Sequence, residues 1–274
     1  MLTREVTQQI NNFVAQKPRT IQEIAQHINK NWRTAESYVL KIQQQQGTLS
    51  TRTFRSGTRG ALKIAYWNLV NKNQSSFQEM LFQKIKGSPN KKDFSAFDIY
   101  QYLDEDKRSC FLERQEKNLN VKQDLIPTIS SAVEQVLIFS GDLSWSQACQ
   151  NKIPLLKAFE NLAEKNIPVK IIANVDLNSL KNVQEMLNIN HRFGKNLIEI
   201  RHAQQPLRAF IVDNNIARIK ERYFLKSVST EKYLFYSIMD SDWIDWLKKL
   251  FWHFFSTAIS AEKRIKDIES IRKM

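Results

Sequence analysis

Two short apolar runs, Val136-Leu-Ile-Phe139 and Val169-Lys-Ile-Ile-Ala173, flank a single amphipathic stretch from Leu155 to Lys165. Runs of four or five such residues are too short for a core helix and suit strands covered on both faces. Joined through one helix, they predict a right-handed βαβ unit with parallel strands. The alternation continues. Leu180 to Leu187 reads as a helix, and Leu197-Ile-Glu-Ile200, Ala209-Phe-Ile-Val212 and Ile216 to Ile219 read as strands. Asp213-Asn214-Asn215 supplies a tight turn between the last two, and Tyr233 to Ile238 reads as the final strand. An α/β domain is therefore expected over residues 125–274.

The N-terminal 70 residues have a different grammar. Val6, Ile10, Phe13 and Val14 fall on one face of a helix that ends before Lys17-Pro18. Thr20 and Glu23 form a capping box for a second helix with Ile21, Ile24, Ala25 and Ile28 inside. A third, about residues 32–46, turns Ala35, Val39 and Ile42 inward and meets a suitable C-cap at Gly47. Leu49 to Phe54 and Ala61 to Trp67 then alternate with period two around the turn Ser56-Gly57-Thr58-Arg59-Gly60. Three helices followed by a hairpin are the order of an α+β winged helix-turn-helix. Arg33, Thr34, Ser37, Tyr38 and Lys41 are expected along the outer ridge of the third helix, suited to phosphates and base edges in a major groove. Arg52, Arg55, Arg59 and Lys63 are expected on a wing that grips the backbone or minor groove.

Charge supports that reading. The net charge is +13 in 274 residues. Residues 1–72 hold eleven lysines and arginines against three acids, Glu5, Glu23 and Glu36, so more than half of the excess sits in about a quarter of the chain. Such a surplus attracts polyanions. A helical connector is expected over residues 71–124, with amphipathic segments around Phe77 to Ile85 and Phe94 to Leu103, a basic turn at Asn90-Lys91-Lys92, and a surface helix or hinge over 105–120.

Other chemistries find little support. Cys110 and Cys149 are too few for a disulfide framework or a zinc site and are read as reduced and structural. His27, His191, His202 and His253 have no metal-ligand spacing, and the six glycines form no phosphate-binding loop. No metal and no cofactor are expected. No apolar run reaches the roughly 20 residues of a membrane span, and the N-terminus lacks the apolar core of a signal peptide, so a cytoplasmic protein is expected. Ser140, Asp142 and Trp145 follow the first strand, where they either line a ligand crevice or simply turn the chain.

The runs Leu137-Ile-Phe-Ser-Gly-Asp-Leu143, Leu162 to Ile172 and Pro206-Leu-Arg-Ala-Phe-Ile-Val-Asp213 resemble one lobe of a phospholipase D-like domain. The catalytic motif of that superfamily is His-x-Lys-x4-Asp. Aligned on Asp213, Pro206 stands at the histidine and Arg208 at the lysine, so the resemblance implies a lobe without its nucleophile. A winged helix followed by such a lobe resembles the TrmB-type and related archaeal transcription regulators. That resemblance implies a dimer in which the lobe assembles the protein or senses an effector. No separate sugar-binding domain follows Ile238, only a long C-terminal helix and a charged tail from Glu262 to Met274.

The aromatic stripe of that helix, with Trp243, Trp246, Leu250 and Phe254, is expected either to pack on the sheet or to form a dimer contact. The expected function is sequence-specific binding of double-stranded DNA by a homodimeric regulator, with a small-molecule effector as an open question. Two alternatives remain. One is a phosphodiesterase or nuclease with an altered site at Arg208 and Asp213; the other is an architectural or mobile-element DNA-binding protein without an effector.

Overall fold

The computed structural model describes residues 2–46, 48–55, 61–67, 74–88, 90–114, 124–224 and 231–272. The chain begins with α1 (Arg4–Gln16), β1 (Arg19–Thr20), α2 (Ile21–His27), α3 (Trp32–Gln46), β2 (Leu49–Arg55) and β3 (Ala61–Trp67). Thr3 caps α1 by accepting from Val6 N, and Thr20 caps α2 in a complete capping box with Glu23. The two hydrogen bonds of that box, 2.8 and 3.1 Å, fix where α2 starts after Pro18. β2 and β3 pair antiparallel from Leu49↔Trp67 to Arg55↔Ala61, and β1 adds to the other edge of β3. Ile10, Val14, Ile24, Val39, Ile42 and Leu49 fill the core between the three helices and the hairpin.

Next come α4 (Gln74–Lys86), α5 (Phe97–Tyr100) and β4 (Arg108–Arg114). The expected surface helix or hinge over 105–120 is corrected over 108–114, and residues 115–120 lie outside the described residues. β4 is a strand of the large sheet, and its alternation of Cys110 and Leu112 inward with Phe111 and Glu113 outward is the period-two signal hidden among the charges. The C-terminal half runs α6 (Leu125–Ser130), β5 (Val136–Phe139), the short ladder of β6 (Cys149–Gln150) and β7 (Ile153–Pro154), α7 (Leu156–Glu164), β8 (Val169–Ala173), α8 (Leu180–Phe193), β9 (Ile198–His202), β10 (Ala209–Val212), β11 (Ile216–Phe224), β12 (Glu231–Ile238), α9 (Ser241–Thr257), β13 (Ile259–Ser260) and α10 (Ala261–Arg272). The single long C-terminal helix with a charged tail is also corrected. The backbone turns extended at Ala258, β13 pairs with β9, and Arg201 Nη1 donates to the Phe255 carbonyl at 2.9 Å. These contacts end α9, and α10 restarts as a separate helix.

The large sheet is a mixed α/β assembly of eight strands in the order β13-β9-β8-β5-β10-β11-β12-β4. β5, β8 and β9 are parallel, and the remaining pairs are antiparallel. One face, with Val136, Ile138, Ile171 and Ile200, packs on α6, α7, α8 and α10. Leu137, Phe139, Ile172 and Ile211 on the other face pack on α9.

The hairpin joins both halves. Phe54, Leu62 and Ile64 lie in the same apolar cluster as Phe97, Tyr100, Leu112 and Tyr236, and the Phe54 ring meets those of Phe97, Tyr100 and Tyr236 edge-on at 6.0, 6.0 and 6.1 Å. Polar contacts surround this cluster. Lys17 Nζ donates to the Lys92 carbonyl at 2.6 Å, Lys84 Nζ pairs with Asp98 at 2.9 Å, and half-buried Glu221 accepts from Ser95 Oγ and Ala96 N. Burial pushes the Glu221 carboxyl up to about 7, opposed by its hydrogen bond from Ser95, and burial likewise raises Asp98 against the pull of Lys84.

Phe54→Ala is expected to cost about 3 kcal/mol or more in urea unfolding, because it empties a site shared by both halves. The junction also predicts a pH dependence. A carboxyl whose folded pKa exceeds its unfolded value binds more protons when folded, so stability falls as pH rises from about 4.5 towards 7. Glu221→Gln is expected to flatten that fall and to raise the thermal midpoint at pH 8, as followed by circular dichroism.

Candidate nucleic-acid interface

α3 begins with Asn31 Oδ1 accepting from Thr34 N at 2.8 Å, which satisfies one of the helix's first N–H groups. Arg33, Ser37 and Lys41 are exposed on one ridge, and Thr34 is half-buried beside them. Tyr38 is a correction. It is only 8% exposed and packs with Ala35, Val39 and Ile42. Spacings of three, four and seven residues from Ala35 put Tyr38 on the inward face, a signal already present in the periodicity. Sequence reasoning missed Trp32, Leu40 and Gln44, which are exposed with the basic ridge. The Arg33 guanidinium lies 5.5 Å from the Trp32 ring centroid.

The hairpin stands next to this helix. Lys63 Nζ pairs with Glu36 of α3 at 2.8 Å and ties β3 to it. Arg52 is half-buried, with its guanidinium 5.3 Å from the Tyr100 ring and 5.9 Å from Phe54, so it leans on the lobe instead of projecting as a free wing cation. Arg55 ends β2, but its side chain and all of Arg59 lie outside the described residues, as do Gly47 and the turn 56–60.

A second candidate site lies at the carboxyl ends of β5 and β8. A cleft of about 250 Å³ is lined by Asn90, Lys91, Ser140, Asn174, Gln205 and Arg208, among others. Polar groups hold its walls. Gln205 Nε2 donates to the Ser140 carbonyl at 2.8 Å, and its Oε1 accepts from Leu207 N at 2.6 Å. Ser140 Oγ accepts from Trp145 Nε1 at 2.9 Å. Of the expected crevice residues only Ser140 lines the cleft. Asp142 is exposed and accepts from Ser144, while the Trp145 ring packs on Phe159 and Phe210.

Arg208 donates to the Gln205 and Leu207 carbonyls and lies against Gly141, where a Cβ would come within 2.6 Å of Nη2. Desolvation brings its pKa down to about 10, with Asp142 acting the other way, so it stays charged at neutral pH. Pro206 is buried beside it. Asp213 is not in the cleft. It is buried, and its carboxylate accepts from Val133 N, Glu134 N and Gln135 N at 2.8, 2.9 and 2.8 Å, anchoring the turn before β5. His202 Nδ1 accepts from Val175 N, and burial lowers its pKa. The sequence marks Lys91 only as part of a basic turn and gives no sign of Asn174 or Gln205, because the three come from distant segments that meet only in the fold.

The aromatic stripe of α9 divides. Trp243 and Leu250 are fully buried and Trp246 is 8% exposed, all against the chain's own sheet and connector. Those three side chains are already covered, so of the two expectations for the stripe it is packing on the sheet that holds for them. Phe254 is half-buried on the rim of the same cluster. No helix among the described residues is long and apolar enough to cross a membrane.

The chain matches no protein-family profile and no curated protein sequence. Among solved structures it is similar to Nuc, a phospholipase D family member from Salmonella typhimurium, at 13% identity and a TM-score of 0.39 over 56% of this chain and 98% of that one. NucT from Helicobacter pylori stands at 17% identity and 0.39 over 56% and 99%. TrmBL2, described as an archaeal chromatin protein with a novel mode of DNA binding, stands at 13% identity and 0.40 over 94% of both chains. These are loose likenesses of fold, and no residue role is carried across from them.

Asp213→Ala is expected to leave three backbone N–H groups without their acceptor and to cost roughly 3 kcal/mol in denaturant unfolding. Asp213→Asn, which keeps one carbonyl oxygen, is expected to lose less.

Proposed function

We propose that the chain is a DNA-binding regulator whose residues 1–70 act as a winged helix-turn-helix, with a non-catalytic phospholipase D-like lobe over 125–274 and a connector between. The observation that carries this reading is the exposed ridge of Arg33, Ser37 and Lys41 on α3, flanked by the β2–β3 hairpin. Helical spacing of four residues sets these side chains about one turn apart, the repeat needed to follow a groove wall. Lys63 positions the hairpin through Glu36, and Arg52 braces it on the lobe. A rigidly held wing fixes the angle at which α3 meets a duplex. The concentration of positive charge in this region supplies the sequence-independent part of the affinity.

The lobe is read as an assembly or effector module. Its cleft presents Arg208 and Lys91 with amide and hydroxyl groups, and Pro206 and the engaged Asp213 leave the expected phosphodiesterase motif without a working nucleophile or a free carboxylate. Incubation with single- and double-stranded DNA and a generic phosphodiester, with and without divalent metal, is expected to give no turnover. Hydrolysis abolished by Arg208→Ala would establish the enzymatic alternative.

Binding to duplex DNA is expected to weaken steeply between 50 and 200 mM salt, as for proteins making several phosphate contacts. The Arg33→Ala/Lys41→Ala variant is expected to lose roughly tenfold or more in affinity with a shallower salt slope, measured by fluorescence anisotropy. Equal binding to operator-selected and random duplexes would favour the architectural reading over a sequence-specific one.

A further inference from the structure

The outward face of β11, β12 and β4 carries a surface that the α3 ridge does not account for. Along these strands alternate residues such as Ile219, Leu234 and Leu112 enter the core. Lys220, Arg222, Tyr233, Phe235 and Phe111 take the other side. Strand register sorts them into rows. Lys220 stands opposite Phe235, which stands opposite Phe111, and in the next row Arg222 stands opposite Tyr233 and Tyr233 opposite Glu113.

Phe111 is 48% exposed, Lys220 and Arg222 are exposed, and the rings of Tyr233 and Phe235 are half-buried, 6.5 Å apart. The Lys220 ammonium lies 3.9 Å from the Tyr233 ring centroid and 5.7 Å from that of Phe235. The cluster beneath α6, α7 and α8, on this side of the sheet, reaches only as far as Ile216.

The first row continues towards the cleft, since Lys220 N donates to the Arg208 carbonyl at 2.7 Å. Lys91, Arg208, Lys220 and Arg222 therefore form one cationic group whose nearby acids are Asp142 and Glu113. Desolvation lowers the pKa of the Lys220 ammonium; Glu113 opposes the shift, and Lys91 and Arg222 add to it. Aromatic rings interleaved with excess positive charge on an open sheet match a polyanion that can also offer flat apolar surfaces. A base-paired duplex keeps its base faces stacked inside. A second copy of the same face would set cations against cations.

We propose that this face binds single-stranded nucleic acid, with bases stacking on Phe111 and Phe235 and phosphates held by Lys220 and Arg222. The site is separate from the α3 ridge and does not depend on the reading given to it.

Anisotropy of a labelled oligothymidine of about twelve nucleotides, and of the matching oligouridine, tests this on the full chain, with a labelled duplex as the comparison. Phe111→Ala/Phe235→Ala and Lys220→Gln/Arg222→Gln are each expected to weaken single-strand binding about tenfold or more and to leave duplex binding unchanged. The Arg33→Ala/Lys41→Ala variant is expected to do the reverse, so failure of the duplex reading and failure of this proposal give different patterns. Phe111 is half-exposed, so Phe111→Ala alone keeps the test open if the double variant unfolds. Single-strand affinity unchanged in these variants, or undetectable in the native chain at low salt, overturns the proposal. Loss of a dimer by the aromatic variants in sedimentation, with single-strand affinity intact, overturns it too and identifies the face as a contact between copies.

Discussion

Strand β5 has four side chains buried on both faces, and such a strand is stable only between two covering layers. Leu137 and Phe139 require α9 on one side, and Val136 and Ile138 require α6, α7 and α8 on the other. The parallel neighbours β8 and β9 follow, because each returns through a helix that supplies the cover. Both candidate surfaces of the lobe derive from this arrangement. The cleft opens where β5 and β8 end, and among the described residues the covering helices do not extend over the outward face of β11, β12 and β4.

The hairpin is the second organising element. Leu49 and Ala65 serve the N-terminal core, while Phe54, Leu62 and Ile64 serve the core of the lobe. A wing anchored by apolar side chains on both faces cannot swing freely. Its orientation, and with it that of α3, is set by ring contacts to Phe97, Tyr100 and Tyr236, and by Lys63 and Glu36. The polar contacts at the same junction, from Lys17 to the Lys92 carbonyl and from Glu221 to Ser95, place the basic turn with Lys91 where the cleft can reach it.

Much of this architecture was legible in the chain itself. The apolar tetrads and the Thr20–Glu23 box are local signals, and each element they predict forms within a few residues of its expected bounds. Other elements were hidden for physical reasons. β4 and the short β13 are held by pairing with β12 and β9, so their local sequence, rich in charge in one case and only two residues long in the other, did not have to declare a strand. Tyr38 was misplaced by chemistry, its hydroxyl suggesting a surface role where its spacing from Ala35 pointed inward. Asp213 was read through a motif, yet its carboxylate is committed to three backbone donors supplied by residues 133–135. The cleft and the aromatic rows arise from pairing between distant strands, and no window of sequence contains them.

Entry of the exposed α3 ridge into the major groove of a duplex would cover base edges there. Methylation protection reads this directly, because dimethyl sulfate attacks guanine N7, which faces that groove. With a duplex selected by the full chain, guanine N7 positions within the bound site are expected to be protected, and to recover their reactivity with the Arg33→Ala/Lys41→Ala variant. Binding that leaves every guanine N7 in the site reactive would contradict it.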